Sequence, residues 1–144
     1  MSHVVSMRLK NLQFERLQHL ALQLNRTPSE TGALLLEEAL RMREFPSIEF
    51  RDTAAGREAF LKGTRIKVWH VANLARRYDC DVAAQAAAYL ETPETQVRAA
   101  LAYAQAFADE INDIIADNEW VGEHLLPLTP GYHETVVDID APAP

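Results

Sequence analysis

Cysteine is nearly missing from this chain: Cys80 is the single one among 144 residues. One thiol cannot close an internal disulfide or build a thiolate metal cluster, so both are excluded and a reducing, cytoplasmic setting is expected. No apolar run approaches the ~20 residues of a membrane span, so no membrane contact is expected. Met1-Ser2-His3 leads straight into a patterned segment, without the shape of a secretory signal. His3, His19, His70, His124 and His133 are scattered, and none sits at ligand spacing from Cys80 or from another histidine. A Gly-rich phosphate loop and a nucleophile elbow are both absent. The adjacent acids Glu37-Glu38 and Asp109-Glu110 lie on solvated faces with no pocket to raise a pKa. The expectation is a protein with no cofactor, no metal and no small-molecule substrate, and not an enzyme.

Cations are missing from the last quarter. Residues 109–144 carry nine Asp/Glu and no Lys or Arg, a net −9. Residues 1–45 carry six Lys/Arg against five Asp/Glu, and residues 46–108 carry eight against seven, each a net +1. The overall −7 is therefore a property of one end, and the two ends are suited to different partners.

What is present begins with Val4-Val5-Ser6-Met7-Arg8-Leu9. Alternation along a strand puts Val5, Met7 and Leu9 on one side and Val4, Ser6 and Arg8 on the other. No second strand follows nearby. Unpaired backbone groups are costly to bury, and the same strand from a second copy would pair them in an antiparallel ribbon. Asn11 is expected to cap a helix whose stripe is Phe14, Leu17, Leu20, Ala21 and Leu24, with Asn25-Arg26 closing it. Thr27-Pro28-Ser29-Glu30 combines an N-cap, a proline at the first helical position and a capping-box glutamate. The second helix should run to about Met42 and bury Leu35, Leu36, Ala39 and Leu40, with Gly32 marking a close backbone approach.

Strand, helix, short turn and helix across residues 3–43 resemble the ribbon-helix-helix DNA-binding family of the Arc, MetJ and CopG type. The resemblance implies a homodimer with Val5, Met7 and Leu9 in the ribbon core. It implies that Val4, Ser6 and Arg8 enter the major groove of double-stranded operator DNA. Arg8 is suited to a bidentate contact with guanine, whereas Val4 departs from the family's polar residue and can touch only a thymine methyl. It further implies that Thr27 and Ser29, at the start of the second helix, face a phosphate.

Arg43-Glu44-Phe45-Pro46-Ser47 reads as a linker. Ile48-Glu49-Phe50 and Ala59-Phe60-Leu61 are strand candidates around Gly56. A helical face follows on Val68, Val71, Leu74, Ala75 and Tyr78, with Trp69 beside it as a core residue. Asp79-Cys80-Asp81 breaks and caps, and Val82 to Leu90 is a short Ala-rich helix. Thr92-Pro93-Glu94 opens a longer helix on Val97, Leu101, Ala104 and Ala108 that continues through Ile111 and Ile115, with Asp109-Glu110 as the point of a break. The short helix, tight turn and long helix look like a helix-turn-helix.

The succession Ile48-Glu49-Phe50-Arg51-Asp52, Gly63-Thr64-Arg65-Ile66-Lys67-Val68-Trp69 and Gln96-Val97-Arg98 resembles a small bacterial domain of unknown function. That family has a Gly-Thr-Arg-Ile-like signature and sits beside PIN-like ribonuclease toxins, as VapB-type antitoxins do. The resemblance covers roughly residues 46–118 and leaves three roles open: binding DNA, self-association, or holding a toxin. Arg65, Lys67, Arg76, Arg77, Gln96 and Arg98 form the candidate second surface, and a merely solvated face is the plain alternative. In the acidic, Pro-rich end, Ile111, Ile115, Trp120, Leu125 and Leu126 are candidate anchors for a toxin, against the alternative of a solubilising tail.

The expected architecture is mainly α. It comprises a ribbon-helix-helix module (residues 1–45), a helix-turn-helix-like three-helix domain with a short hairpin (46–117), and an acidic tail (118–144). The expected function is a type II antitoxin and autorepressor. It would bind operator DNA as a homodimer or higher oligomer and neutralise a PIN-like toxin by direct contact. The alternatives are a stand-alone transcriptional regulator and an interaction module whose ribbon only dimerises.

Overall fold

The computed structural model describes residues 1–131 and is mainly helical. The elements are α1 (Asn11–Gln23), α2 (Pro28–Glu44), β1 (Ile48–Thr53), β2 (Gly56–Leu61), α3 (Val68–Ala75), α4 (Val82–Tyr89), α5 (Glu94–Ala106), α6 (Ala108–His124) and a 3₁₀ turn at Leu126–Leu128. Residues 1–10 have no regular structure within the single chain. The acidic end beyond Gly131, with Pro142 and Pro144, lies outside the described residues.

Local chemistry accounts for most boundaries. Lys10, not Asn11, is the cap residue of α1, and its N–H donates to Gln13 Oε1 at 3.0 Å. At the other end Asn25 takes φ 51°, and the Arg26 N–H reaches back to the Ala21 carbonyl at 2.9 Å. This is the left-handed helix ending that asparagine tolerates. At α2 the Glu30 N–H donates to Thr27 Oγ1 at 3.2 Å while the Thr27 N–H donates to Glu30 Oε2 at 2.9 Å, so the capping box is complete. The strands pair antiparallel from Ile48↔Leu61 to Thr53↔Gly56. Gly56 supplies the φ of 110° that the reversal needs, which a side chain would strain. Beyond β2 the chain turns at Gly63, and Lys67 bridges back to Phe60. The Gly-Thr-Arg-Ile stretch is thus the turn that folds back along the hairpin and launches α3.

Two helix starts differ from expectation. Asp81 is the cap residue of α4, but at φ 44° its side chain makes no capping bond. The cap position of α5 falls on Pro93 rather than Thr92, again without a side-chain cap.

Every large core side chain comes from the stretch between Ile48 and Ile115. Ile48 and Leu61 from the hairpin meet Val68, Val71 and Leu74 of α3, Ala86 of α4, Val97, Ala100 and Tyr103 of α5, and Ile111 and Ile115 of α6. The α5 core face is therefore Val97–Ala100–Tyr103; Leu101 and Ala104 are half-buried and Ala108 is exposed. The break before α6 falls at Phe107, with φ −119° and ψ 44°, rather than at Asp109-Glu110. Phe107 is held in a cluster of rings, 4.7 Å from Tyr103 and 6.0 Å from Phe45. Trp69 packs against the core as expected. Helix α6 also runs past residue 117 without interruption, so Asn118–His124 is helix where an irregular tail was expected.

The first 44 residues contribute only Ala21 to the buried apolar set. Leu35, Leu36, Ala39 and Leu40, expected to be buried, are exposed. Nothing among the described residues lies within 4 Å of where a Gly32 Cβ would sit, so that glycine serves no close approach among them. The linker reading of Arg43–Ser47 is also corrected. Arg43 and Glu44 are the last residues of α2, and the Phe45 ring meets Tyr103 edge-on at 5.3 Å.

Loss of the buried δ-methyl and γ-carbons in Ile115→Ala should cost ~2–5 kcal/mol, whereas Trp120→Ala at the exposed end of α6 should cost under about 1 kcal/mol. Urea unfolding of both variants checks this, and equal costs would contradict the boundary between core and projecting helix.

Candidate nucleic-acid interface and partner surfaces

The N-terminal segment presents both of its faces to solvent in one copy of the chain. Val4, Ser6 and Arg8 are exposed, as the expected reading face requires. Val5 and Met7, assigned to the ribbon core, are 76% and 65% exposed, and burial improves only toward Leu9 at 40%. Nothing among the described residues therefore covers Val5 and Met7.

Four cations surround this segment and the first turn: Arg8, Lys10, Arg16 and Arg26. All are exposed, and none lies within salt-bridge distance of an acid among the described residues. By contrast, Arg41, Arg51, Arg57, Lys67 and Arg98 are each paired. Between Met1 and Arg26 the only acid is Glu15. This is a local cationic field on a chain of negative total charge.

The start of α2 is a weaker anion site than expected. The capping box occupies the Thr27 hydroxyl and the Glu30 N–H, and Pro28 has no N–H to offer. The bond from the Thr27 N–H, and then the one from its hydroxyl, hold the Glu30 carboxyl below its usual range. That keeps a negative charge beside the helix end. Ser29, with Arg26 just before it, is what remains to meet a phosphate.

The second candidate surface does not come together as one patch. Lys67 Nζ is 2.7 Å from Glu58 Oε2, inside a polar cluster that also takes the Trp69 indole N–H at 3.1 Å. Arg76 donates to Asn112 Oδ1 at 2.5 Å. Arg98 is bound to Glu94 one turn back, and the Gln96 side-chain oxygen is buried without a partner. Only Arg65 and Arg77 of the six are exposed without a bonding partner among the described residues. Glu94 in the first turn of α5 also opposes a phosphate there.

On α6 the five expected anchors separate into two groups. Ile111 and Ile115 are core residues at 3% and 1% exposure and cannot meet a partner. Trp120, Leu125 and Leu126 are exposed, joined by Val121 and Leu128. Trp120 stacks on His124 with centroids 4.8 Å apart and planes 12° from parallel.

Three charged residues that organise the chain escaped the sequence reading. Glu38, expected with Glu37 on a solvated face, is instead buried and takes both Nε and Nη2 of Arg57, at 2.9 and 2.5 Å. Arg41 donates to Glu37 at 2.6 Å and, through Nη1, to Tyr103 Oη and Glu110 Oε2, each at 2.8 Å. Burial works against its charge, but those three acceptors outweigh it and raise its pKa. Glu58 is buried beside Lys67, Thr53 and Trp69. A signal for Glu58 was available: it shares a strand face with Phe60, two residues on.

Among the described residues no group of three or more His, Cys, Asp or Glu is placed to hold a metal, and no helix is long and apolar enough to cross a membrane. Comparison with protein-family models, curated proteins and solved structures finds no match to this chain.

Burial alone would raise the Glu58 carboxyl, but Lys67, Thr53 and Trp69 together bring it below the ordinary glutamate value of 4.5. The folded state therefore binds this proton less readily than the unfolded state. The stabilisation is present above pH 4.5 and is lost as pH falls below it. Glu58→Gln should flatten that acid limb of the stability curve, as measured by thermal unfolding across the acid range. An unchanged limb would remove Glu58 from it.

Proposed function

We propose that this chain is an operator-binding repressor of the ribbon-helix-helix kind that also serves as the antitoxin of a PIN-like ribonuclease. Two copies pair through Val4–Leu9 as an antiparallel ribbon. Val5, Met7 and Leu9 then close over the exposed leucines of α1 and α2. Ser6 and Arg8 read base edges, and Lys10, Arg16, Arg26 and Ser29 hold the phosphate backbone. The exposed end of α6 and the acidic residues after it occupy the basic groove of the toxin.

The observation that carries the DNA part is the pairing of two features in one short stretch. The first 44 residues leave Val5, Met7, Leu22, Leu36 and Leu40 in solvent, and ahead of α2 the same stretch holds four cations outside any ion pair among the described residues. Removing apolar area of this kind from water favours association. A second copy of the same strand is the occupant that also satisfies the backbone donors and acceptors of residues 4–9. Arg8 then falls on the outward side of the ribbon, with Lys10 just after it, where DNA binding requires cations.

The toxin part has less support. Burial of Ile111 and Ile115 in the core removes two of its five anchors. That observation favours the stand-alone regulator as the second reading. Co-purification with the product of the adjacent gene, followed by a ribonuclease assay, separates the two.

Arg8→Ala should weaken binding to the duplex upstream of the chain's own coding sequence by ~1–3 kcal/mol without changing the oligomeric state. Titration of labelled duplex at fixed salt checks this, and unchanged affinity would take Arg8 out of the readout. Met7→Lys would place a charge inside the ribbon core and should leave the protein monomeric. Sedimentation of that variant as a stable dimer would reverse the faces of the strand.

A further inference from the structure

The hydrophobic core stops at the seam between α2 and the rest of the chain. Phe45, just after α2, packs against it; the hydrogen bonds across the seam involve Glu38 and Arg41 of α2. One side chain reaches farthest. Arg41 Nη1 lies 2.8 Å from Tyr103 Oη on α5 and 2.8 Å from Glu110 Oε2 on α6. Its guanidinium also sits 3.8 Å from the centroid of Phe107, the non-helical residue between those two helices. A single α2 side chain thus holds both sides of the α5–α6 corner and the corner residue itself. The same seam contains a cavity of about 210 Å³ lined in part by Leu34, Glu37, Glu38 and Phe50.

A buried ion pair is seldom worth more than the apolar contact that could replace it, because desolvation offsets the attraction. What it offers is a contact that a competing charge can open. The two acids on Arg41 remain open to competition: the Glu37 and Glu110 side chains are 49% and 46% exposed, against 15% for Arg41. Glu110, Asp113 and Asp117 recur at spacings of three and four along α6, so they share one face of the helix. A cation drawn along that face reaches Glu110 at its end.

We propose that Arg41 is a releasable latch between α2 and the α5–α6 corner, opened when a competing cationic group takes Glu110 from it. With the latch closed, α2, and the N-terminal module built on it, is fixed on the C-terminal core. With Glu110 drawn away, Arg41 keeps Glu37 on its own helix and Tyr103 on α5 but loses its ionic tie to α6, and α2 loosens at this end while Glu38 stays on Arg57. Identification of the competing group with a basic partner on α6 rests on the function proposed above; the latch itself does not.

Hydrogen exchange on the full chain tests the latch without DNA or a toxin, so its failure is distinct from failure of that function. Glu110→Lys places the competitor permanently, at a half-exposed position that folding tolerates. Amides of Leu34–Arg41 should then exchange about tenfold faster or more at low salt, the factor implied by losing one hydrogen bond between charged groups. Amides of α3 and α4 should keep their wild-type protection. Glu110→Asp should retain slow exchange in α2. In the wild type the same amides should speed up as salt is raised, and in Glu110→Lys they should respond little. Wild-type exchange of Leu34–Arg41 in Glu110→Lys would overturn the proposal. So would equal loss of protection in α2, α3 and α4, which would mean a single fused core.

Discussion

Two arginines decide how this molecule holds together. Arg57 on β2 and Arg41 on α2 carry the bonds that seat the first 44 residues on the remainder, through Glu38 in one case and through Tyr103 and Glu110 in the other. Neither bond set resembles a surface salt bridge of negligible worth. The Glu38 side chain is 5% exposed, and its two oxygens meet two nitrogens of one planar guanidinium. A bidentate pair of this kind fixes an angle as well as a distance. Removing one partner would leave the other charge buried and uncompensated, a larger loss than the pair's net gain on forming. The seam therefore gains orientation more than it gains stability.

That arrangement explains why the N-terminal module is left unfinished. Had α2 been held by leucines, its apolar residues would have been used inside the chain. Because Glu38 and Arg41 face the hairpin and the α5–α6 corner, Leu36 and Leu40 are left on other parts of the helix surface. Between Phe45 and Glu119, Tyr89 is the one large apolar residue that stands exposed, while the module before it exposes many. The C-terminal core is complete in one copy and the N-terminal core is not. A second copy of the module, as proposed above, would supply that missing interior.

Most of the C-terminal fold was legible because its signals are local. The alternation on either side of Gly56 and the Val68–Val71–Leu74 spacing each depend on residues within one or two turns, as does the Thr27–Glu30 cap of α2 in the first module. The misreadings share the opposite property. The leucines of α2 look like a core stripe, and the stripe is real, but nothing among the described residues covers it. Asp109-Glu110 looks like a helix break; the break comes instead at Phe107, where packing on Phe45 and Tyr103 sets the angle. Tyr103 is only one turn away, but Phe45 comes from the far end of α2. Tyr103 itself reads as one aromatic among alanines until Arg41, 62 residues earlier, is seen to donate to its hydroxyl. Ile111 and Ile115 look like anchors in an acidic tail because their neighbours are acids, yet their spacing of four was already the mark of a buried helix face.

Charge gives the same lesson on a larger scale. A total of −7 argues against a phosphate backbone only if the field is uniform, and salt prevents that. Exposed charges are screened over a Debye length of ~8–10 Å at physiological ionic strength. Helix α6, which carries six of the acids, has 17 residues. At 1.5 Å per residue such a helix is ~25 Å long, several screening lengths. An acid at its far end therefore cancels little of a cation's field at its near end, and still less beyond it. A ligand at the N-terminal segment meets Arg8, Lys10, Arg16 and Arg26, unneutralised by ion pairs, whereas a ligand at α6 meets carboxylates. Two partners of opposite sign can then be served by one short chain without competing for the same surface. The element between those surfaces is α2, and its hold on α6 is an ion pair.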